Sequence, residues 1–202
     1  MATKSIILVL LSVLFINCSD KSLDLPLSAI KGEVEIYDNS PVWFFKDSDT
    51  IYINKGGLIS STNWFFAIEK ELPLKLIVPN IKKLQLKKKN NIHAKEGTYN
   101  YFIYSDTLAK QNSFFKFNHI DYNFIDAVKK VNSSQYAIVK DKGKLTINGR
   151  QTSLNDILKQ VDKNSELSLY FNKNTIFQEY LEIVLVLENA NLTIDNRHYI
   201  LY

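Results

Sequence analysis

The sequence predicts an α+β fold, a small sheet with helices packed on one face of it, and is compatible with two tandem units of that kind. Three observations carry this. Short runs rich in β-branched and aromatic residues, such as Val42-Trp43-Phe44-Phe45 and Thr50-Ile51-Tyr52-Ile53-Asn54, are bounded by turn-forming residues and read as strands. Other stretches place apolar residues three and four apart behind a capping residue, as Leu154, Ile157, Leu158 and Val161 follow Thr152 or Ser153, and read as helices. The two kinds alternate along the chain, and 202 residues at 46% hydrophobic content suffice for a buried core.

Taken in order, residues 1–18 read as an export segment. Lys4 supplies a positive start, and an almost unbroken apolar run over 6–16 leads to Asn17 and Cys18. The run falls short of the roughly 20 apolar residues that a bilayer span requires, so cleavage is the expected fate. Cys18 is the only cysteine and stands where a bacterial lipoprotein is acylated. Leu14-Phe15-Ile16-Asn17-Cys18 resembles a lipobox, departing from it at Asn17, where a small residue is commoner. The competing reading is an unacylated signal segment with an incidental cysteine. Acyl chains contribute about 0.8 kcal/mol per buried CH₂, so acylation of Cys18 is the expected anchor to the membrane.

Residues 19–33 are polar, carry Pro26 and read as a tether. A first α+β unit is expected over 34–135. It opens with a hairpin around Lys46-Asp47-Ser48-Asp49; after Gly56-Gly57 a short helix is predicted over 61–71 from the spacing of Trp64, Phe65, Ile68 and Leu72. Pro73 ends it, residues 74–78 with Pro79 read as an edge strand, and the lysine-rich stretch 80–91 reads as an insertion without a decided state. A strand over 99–104 and a helix over 122–131, with Phe124, Ile125, Val128 and Val131 at helical spacing, complete the unit.

A second unit is expected over 136–202. It reads as a strand at 136–139, the turn Asp141-Lys142-Gly143, a strand ending in Ile147-Asn148-Gly149, the helix 153–161 and a strand at 167–171. A longer helix opens at Asn174 or Thr175, with Phe177, Tyr180, Leu181, Val184, Leu185 and Leu187 apolar nearly all round; strands at 192–194 and 199–201 close the chain. The segments 42–71 and 137–161 share an order of features, and Thr50-Ile51-Tyr52-Ile53-Asn54 aligns with Lys144-Leu145-Thr146-Ile147-Asn148. This suggests an internal duplication, its rival being chance recurrence of short strand patterns.

The features of 136–202 resemble the periplasmic domain of the ExbD/TolR family of biopolymer-transport proteins, in which a strand, a turn and a strand ending in Ile-Asn-Gly lead into a helix, a strand, a longer helix and a last strand. Leu23-Asp24-Leu25-Pro26-Leu27-Ser28 is similar to the family's Leu-Pro segment between membrane helix and domain, which makes Leu25 and Pro26 the expected partner-binding residues. Two departures bear on function. The family's membrane helix carries an aspartate used in proton coupling, and residues 6–16 contain no carboxylate; the family's Ala-Asp step is replaced by Asn172-Lys173. The resemblance therefore implies a fold and a setting, an envelope domain that dimerises or meets TonB/ExbB-type partners or peptidoglycan, without energy transduction.

Little points to catalysis. His93, His119 and His198 lie far apart, so no metal site or cofactor is expected. With Cys18 assigned to lipid no thiol nucleophile remains, and no Gly-x-Ser-x-Gly elbow or phosphate loop is present. Asp47 with Asp49, or Asp121 with Asp126, are the carboxylate pairs a hydrolase would need, although turn chemistry accounts for the first pair. A net charge of +4 with only Arg150 and Arg197 as arginines argues against nucleic-acid binding. Lys82, Lys83, Lys87, Lys88 and Lys89 form the one charge cluster, a candidate contact for an anionic membrane surface or another anion at about 1 kcal/mol per charge, or else a solvated face. Trp43, Phe44, Phe45, Trp64, Phe65 and Phe66 are expected in the core. The expectation is a non-enzymatic accessory lipoprotein of the cell envelope, or alternatively an unrelated lipoprotein that binds peptidoglycan or a surface glycan.

Overall fold

The computed structural model describes residues 23–92, 95–129 and 135–202, so residues 1–18, the expected export segment with Cys18, lie outside the described residues. Among the described residues, two mixed six-stranded sheets and three helices make up the fold, which is α+β as the sequence predicts. In the first sheet a hairpin of β2 (Asn39–Asp47) and β3 (Thr50–Asn54) pairs, through β2, in parallel with β4 (Asn63–Ile68). β4 pairs in parallel with β5 (Asn100–Asp106), which also pairs with the two-residue β1 (Leu27–Ser28) and, antiparallel, with β6 (Gln111–Lys116). Helix α1 (Leu74–Lys89) is the crossover from β4 to β5.

The second sheet repeats this plan. A hairpin of β8 (Gln135–Asp141) and β9 (Lys144–Ile147) pairs, through β8, in parallel with β11 (Glu166–Asn172), and β11 pairs in parallel with β12 (Thr193–Leu201). Helix α3 (Phe177–Asn189) is the crossover. Helix α2 (Leu154–Gln160), between β9 and β11, has no counterpart in the first half, where residues 55–62 form turns. β10 (Arg150–Gln151) pairs antiparallel with β9 at the sheet edge, and β7 (Asp121–Ile125) pairs in parallel with β12. In both halves the crossover helix starts the same number of residues after the first residue of its strand, Asn63 to Leu74 and Glu166 to Phe177. The helices also bury the same positions: Leu74 with Phe177, Ile77 with Tyr180, Val78 with Leu181, Ile81 with Val184 and Leu84 with Leu187.

The two helix starts meet. Leu74 donates its amide to the Thr175 carbonyl at 2.9 Å while Phe177 donates to Leu72 at 2.9 Å, and Lys75 to Lys173 (2.8 Å) is matched by Gln178 to Lys70 (2.9 Å). Because these partners are equivalent positions of the two repeats, the bonds describe a local two-fold relation. Helix amides that would otherwise lack acceptors are satisfied by the opposite repeat. One continuous apolar core spans both halves, with Phe102 of the first stacked edge-on to Phe177 of the second at 5.1 Å.

Four expectations are corrected. Residues 61–71 contain a strand where a helix was expected: β4 is buried on both faces, so its run Trp64-Phe65-Phe66-Ala67-Ile68 is continuously apolar, a pattern that spacing cannot separate from a buried helix. Residues 74–91 are not an edge strand followed by an insertion but α1, counterpart of α3; Pro79 sits inside it, and the Asn80 side chain donates to the Leu76 carbonyl at 3.0 Å beside the turn that the proline interrupts. Residues 121–125 form strand β7, and Val128 lies beyond it, exposed. The last two strands are one, β12.

The described part of the expected tether is docked. Leu23 and Leu25 pack against the face of the first sheet formed by Phe65, Ala67, Tyr101 and Ile103, and Pro26 is buried. Leu27 and Gln178 exchange two hydrogen bonds, 2.8 and 2.9 Å, and Asp24 pairs with Lys70 at 2.8 Å. Gly32 lies against β6 so closely that a Cβ there would come within 2.5 Å of the Tyr104 hydroxyl and 2.7 Å of the Phe114 carbonyl.

Candidate functional site: a lysine-lined cleft

The buried stripe of α1 runs Leu74, Ile77, Val78, Ile81, Leu84, and the next position on that stripe is Lys88. Helical periodicity thus carries an ammonium group inward. Lys88 is only 6% exposed; its Nζ donates to the Tyr99 carbonyl at 2.8 Å and lies 5.2 Å from the Trp64 ring centre. Desolvation lowers its pKa to about 8, because burial disfavours the charged form. Two further side chains tie α1 to the β6–β7 corner: Lys82 donates to the Tyr122 carbonyl and lies over Phe124, and Gln85 donates to the Ile120 carbonyl at 3.1 Å.

Between α1 and that corner opens a cleft of about 560 Å³, lined by Lys82, Gln85, Leu86, Lys88, Lys89, Lys95, Thr98, Asn100, Asn118, His119, Ile120 and Asp121. Asp121 is the carboxylate among them. His119 is held at 3.1 Å by Glu188. On the floor, the Asn118 side chain accepts from the Asn100 amide at 2.6 Å, while the buried Asn100 Oδ1 has no partner. The lysine cluster read from the sequence is thereby divided: Lys82, Lys88 and Lys89 line the cleft, whereas Lys83 and Lys87 are exposed without lining it. Lys95 and His119 join from distant sequence positions, and the sequence signal that could have found Lys88 is its place on the apolar stripe.

The other candidates are dispersed. Leu25 and Pro26 are engaged within the chain, and His93, like Cys18, lies outside the described residues. His198 is buried and takes part in a chain in which Tyr122 and Tyr180 hydroxyls meet at 3.0 Å and Tyr180 meets His198 Nδ1 at 2.9 Å. Burial pushes its imidazole down to about 3 and both tyrosines well up. Asp47 and Asp49 stand in the exposed β2–β3 turn; Asp121 lines the cleft and Asp126 does not. Phe44, Trp64, Phe65 and Phe66 are core residues; Trp43 is half-buried against the cluster of Phe65, Ala67, Tyr101 and Ile103, and with half-buried Phe45 and exposed Tyr52 it forms a ladder, ring centres 6.5 and 6.1 Å apart. Among the described residues no group of three or more His, Cys, Asp or Glu could hold a metal ion, and no helix is long and apolar enough to cross a membrane. Comparison with protein-family models, with curated proteins and with solved structures finds no match for this chain.

Proposed function

We propose that the chain is a lipoprotein held to a bacterial membrane through Cys18, its folded part facing the periplasm or the cell surface, and that it acts as a non-enzymatic accessory of a TonB/ExbB-type transport system. The observation that supports this reading is the element order of the second half. Strand β8, strand β9, helix α2, strand β11, helix α3 and strand β12 follow the order that the ExbD/TolR resemblance implies. The first half repeats that sheet order, so two units sit about a local two-fold in one chain, the arrangement a dimerising envelope domain would use. Crosslinking in intact membranes followed by purification tests the role: recovery of inner-membrane transport proteins is expected, and their absence with recovery of peptidoglycan alone defeats it. Metabolic labelling with a tagged fatty acid tests the anchor, since Cys18→Ala must lose the label.

A second reading, binding of peptidoglycan or a surface glycan, is favoured by the Trp43–Phe45–Tyr52 ladder, whose flat rings offer stacking surfaces on the β2–β3 hairpin. Sedimentation with purified cell-wall material, abolished by Trp43→Ala, would support it over the first.

A further inference from the structure

We propose that the cleft between α1 and the β6–β7 corner binds a small phosphate-bearing group, with the buried Lys88 ammonium as the central contact and Lys82, Lys89 and Lys95 around it. The inference goes beyond the envelope reading and does not depend on it.

Three observations carry it. Lys88 is a charge taken out of water without a counter-ion: one of its three N–H groups goes to the Tyr99 carbonyl, and among the described residues no carboxylate lies within ion-pair reach. Asp195, also buried, has its cation in Arg197 at 3.0 Å. A buried ammonium with a carbonyl and the Trp64 ring beside it but no counter-charge is unfavourable, and an arriving anion would reverse that. The second observation is the charge imbalance, four lysines against Asp121, with His119 already engaged by Glu188. The third is size: about 560 Å³ lies within the range of roughly 300–1,000 Å³ typical of small-molecule sites.

The donor set selects phosphate over carboxylate. No arginine fork lines the cleft, so an anion there would be held by the number of point charges around it, and a phosphate dianion carries more charge for them than a carboxylate does. Lysines approaching as point charges from α1 and from residue 95 suit a tetrahedral dianion with oxygens in several directions. Such a group could be free in solution or carried on a lipid headgroup, and the test separates the two.

The full chain is titrated calorimetrically with inorganic phosphate and glycerol phosphate, and in parallel sedimented with vesicles of phosphatidylglycerol or of phosphatidylcholine. Lys88→Met keeps the length of the stem and is expected to weaken binding at least about tenfold, whereas Lys83→Gln, outside the cleft, should change it less than about twofold. Lys95→Gln gives an independent reading on the cleft's rim if Lys88→Met fails to fold. Saturable binding of soluble phosphates, lost in the cleft variants, identifies a free ligand; binding only to phosphatidylglycerol, lost in the same variants, identifies a headgroup. Absence of both, or vesicle binding that falls with Lys83→Gln and survives Lys88→Met, overturns the proposal. Cys18→Ala leaves the soluble-ligand arm unchanged, so a failed anchor and a failed cleft give different results.

Discussion

Lowering the pH should destabilise this protein through His198. The imidazole is 1% exposed and sits among Tyr122 of β7, Tyr180 of α3 and its own strand β12, with Asp195 opposing and His119 reinforcing the effect of burial. If Tyr122 donates to Tyr180 and Tyr180 to a neutral Nδ1, the chain of hydrogen bonds is complete, and a proton on Nδ1 would break it. The folded pKa near 3 lies below the unfolded value near 6.5, so the unfolded state takes up the proton first. This contribution to stability is full above pH 6.5 and falls by about 1.4 kcal/mol per pH unit as pH drops toward 3, which makes the loss about 2 kcal/mol at pH 5. For a chain of this size that corresponds to a fall in Tm of about 4–8 °C. The assay is thermal unfolding from pH 8 to pH 5 on the parent and on His198→Gln, whose amide still accepts from Tyr180 but does not titrate in this range. The parent should lose about 2 kcal/mol more than the variant. Parallel pH profiles, or a His198 NMR resonance in the parent that titrates near pH 6.5, would refute the reasoning.

Gly32→Ala should destabilise by about 1–3 kcal/mol in denaturant unfolding, since the added methyl meets the Tyr104 hydroxyl and the Phe114 carbonyl at distances that only backbone movement can relieve. Lys88→Met should be neutral or stabilising by about 1–3 kcal/mol at pH 7 without added anions, because an unpaired buried charge is replaced by an apolar stem of similar length; a clear loss in Tm would show that the contacts to Tyr99 and Trp64 outweigh desolvation. Tyr180→Phe should cost about 1–3 kcal/mol, leaving both His198 Nδ1 and the Tyr122 hydroxyl without their partner in the core, as measured by chemical denaturation. Ser153→Ala should cost about 1 kcal/mol through loss of the cap on α2, whose Ser153 hydroxyl accepts from the Asp156 amide at 3.2 Å, and helical fraying detected by hydrogen exchange should be confined to that helix.

The second half was the more legible one, for local reasons. The turns Lys142-Gly143 and Asn148-Gly149 adopt positive φ at both central residues, the geometry that two-residue hairpins prefer and that the pair Asn148-Gly149 announces. Ser153 caps its helix as expected, and α3 shows a plain apolar periodicity. In the first half the same elements are present but locally disguised. β4 is buried on both faces and loses the alternation that marks a strand, α1 carries a proline and a lysine-rich surface, and no capping side chain announces its start. A repeated plan was suggested by the matched hairpins, yet the elements that correspond, β4 with β11 and α1 with α3, emerge from sheet register.

By itself the sequence determined what depends on neighbours in the chain: the α+β class, the hairpins, the capped helix and the presence of a lysine cluster. The tertiary structure alone decided which of those lysines border an open cleft, that Lys95 and His119 join them, that Leu25 and Pro26 are spent on internal packing, and that His198 is buried beside a tyrosine pair. The physical reason is that burial and charge pairing are properties of surfaces brought together by the two-fold meeting of the repeats. No local periodicity encodes which of two equivalent helix faces will be left beside an open cleft.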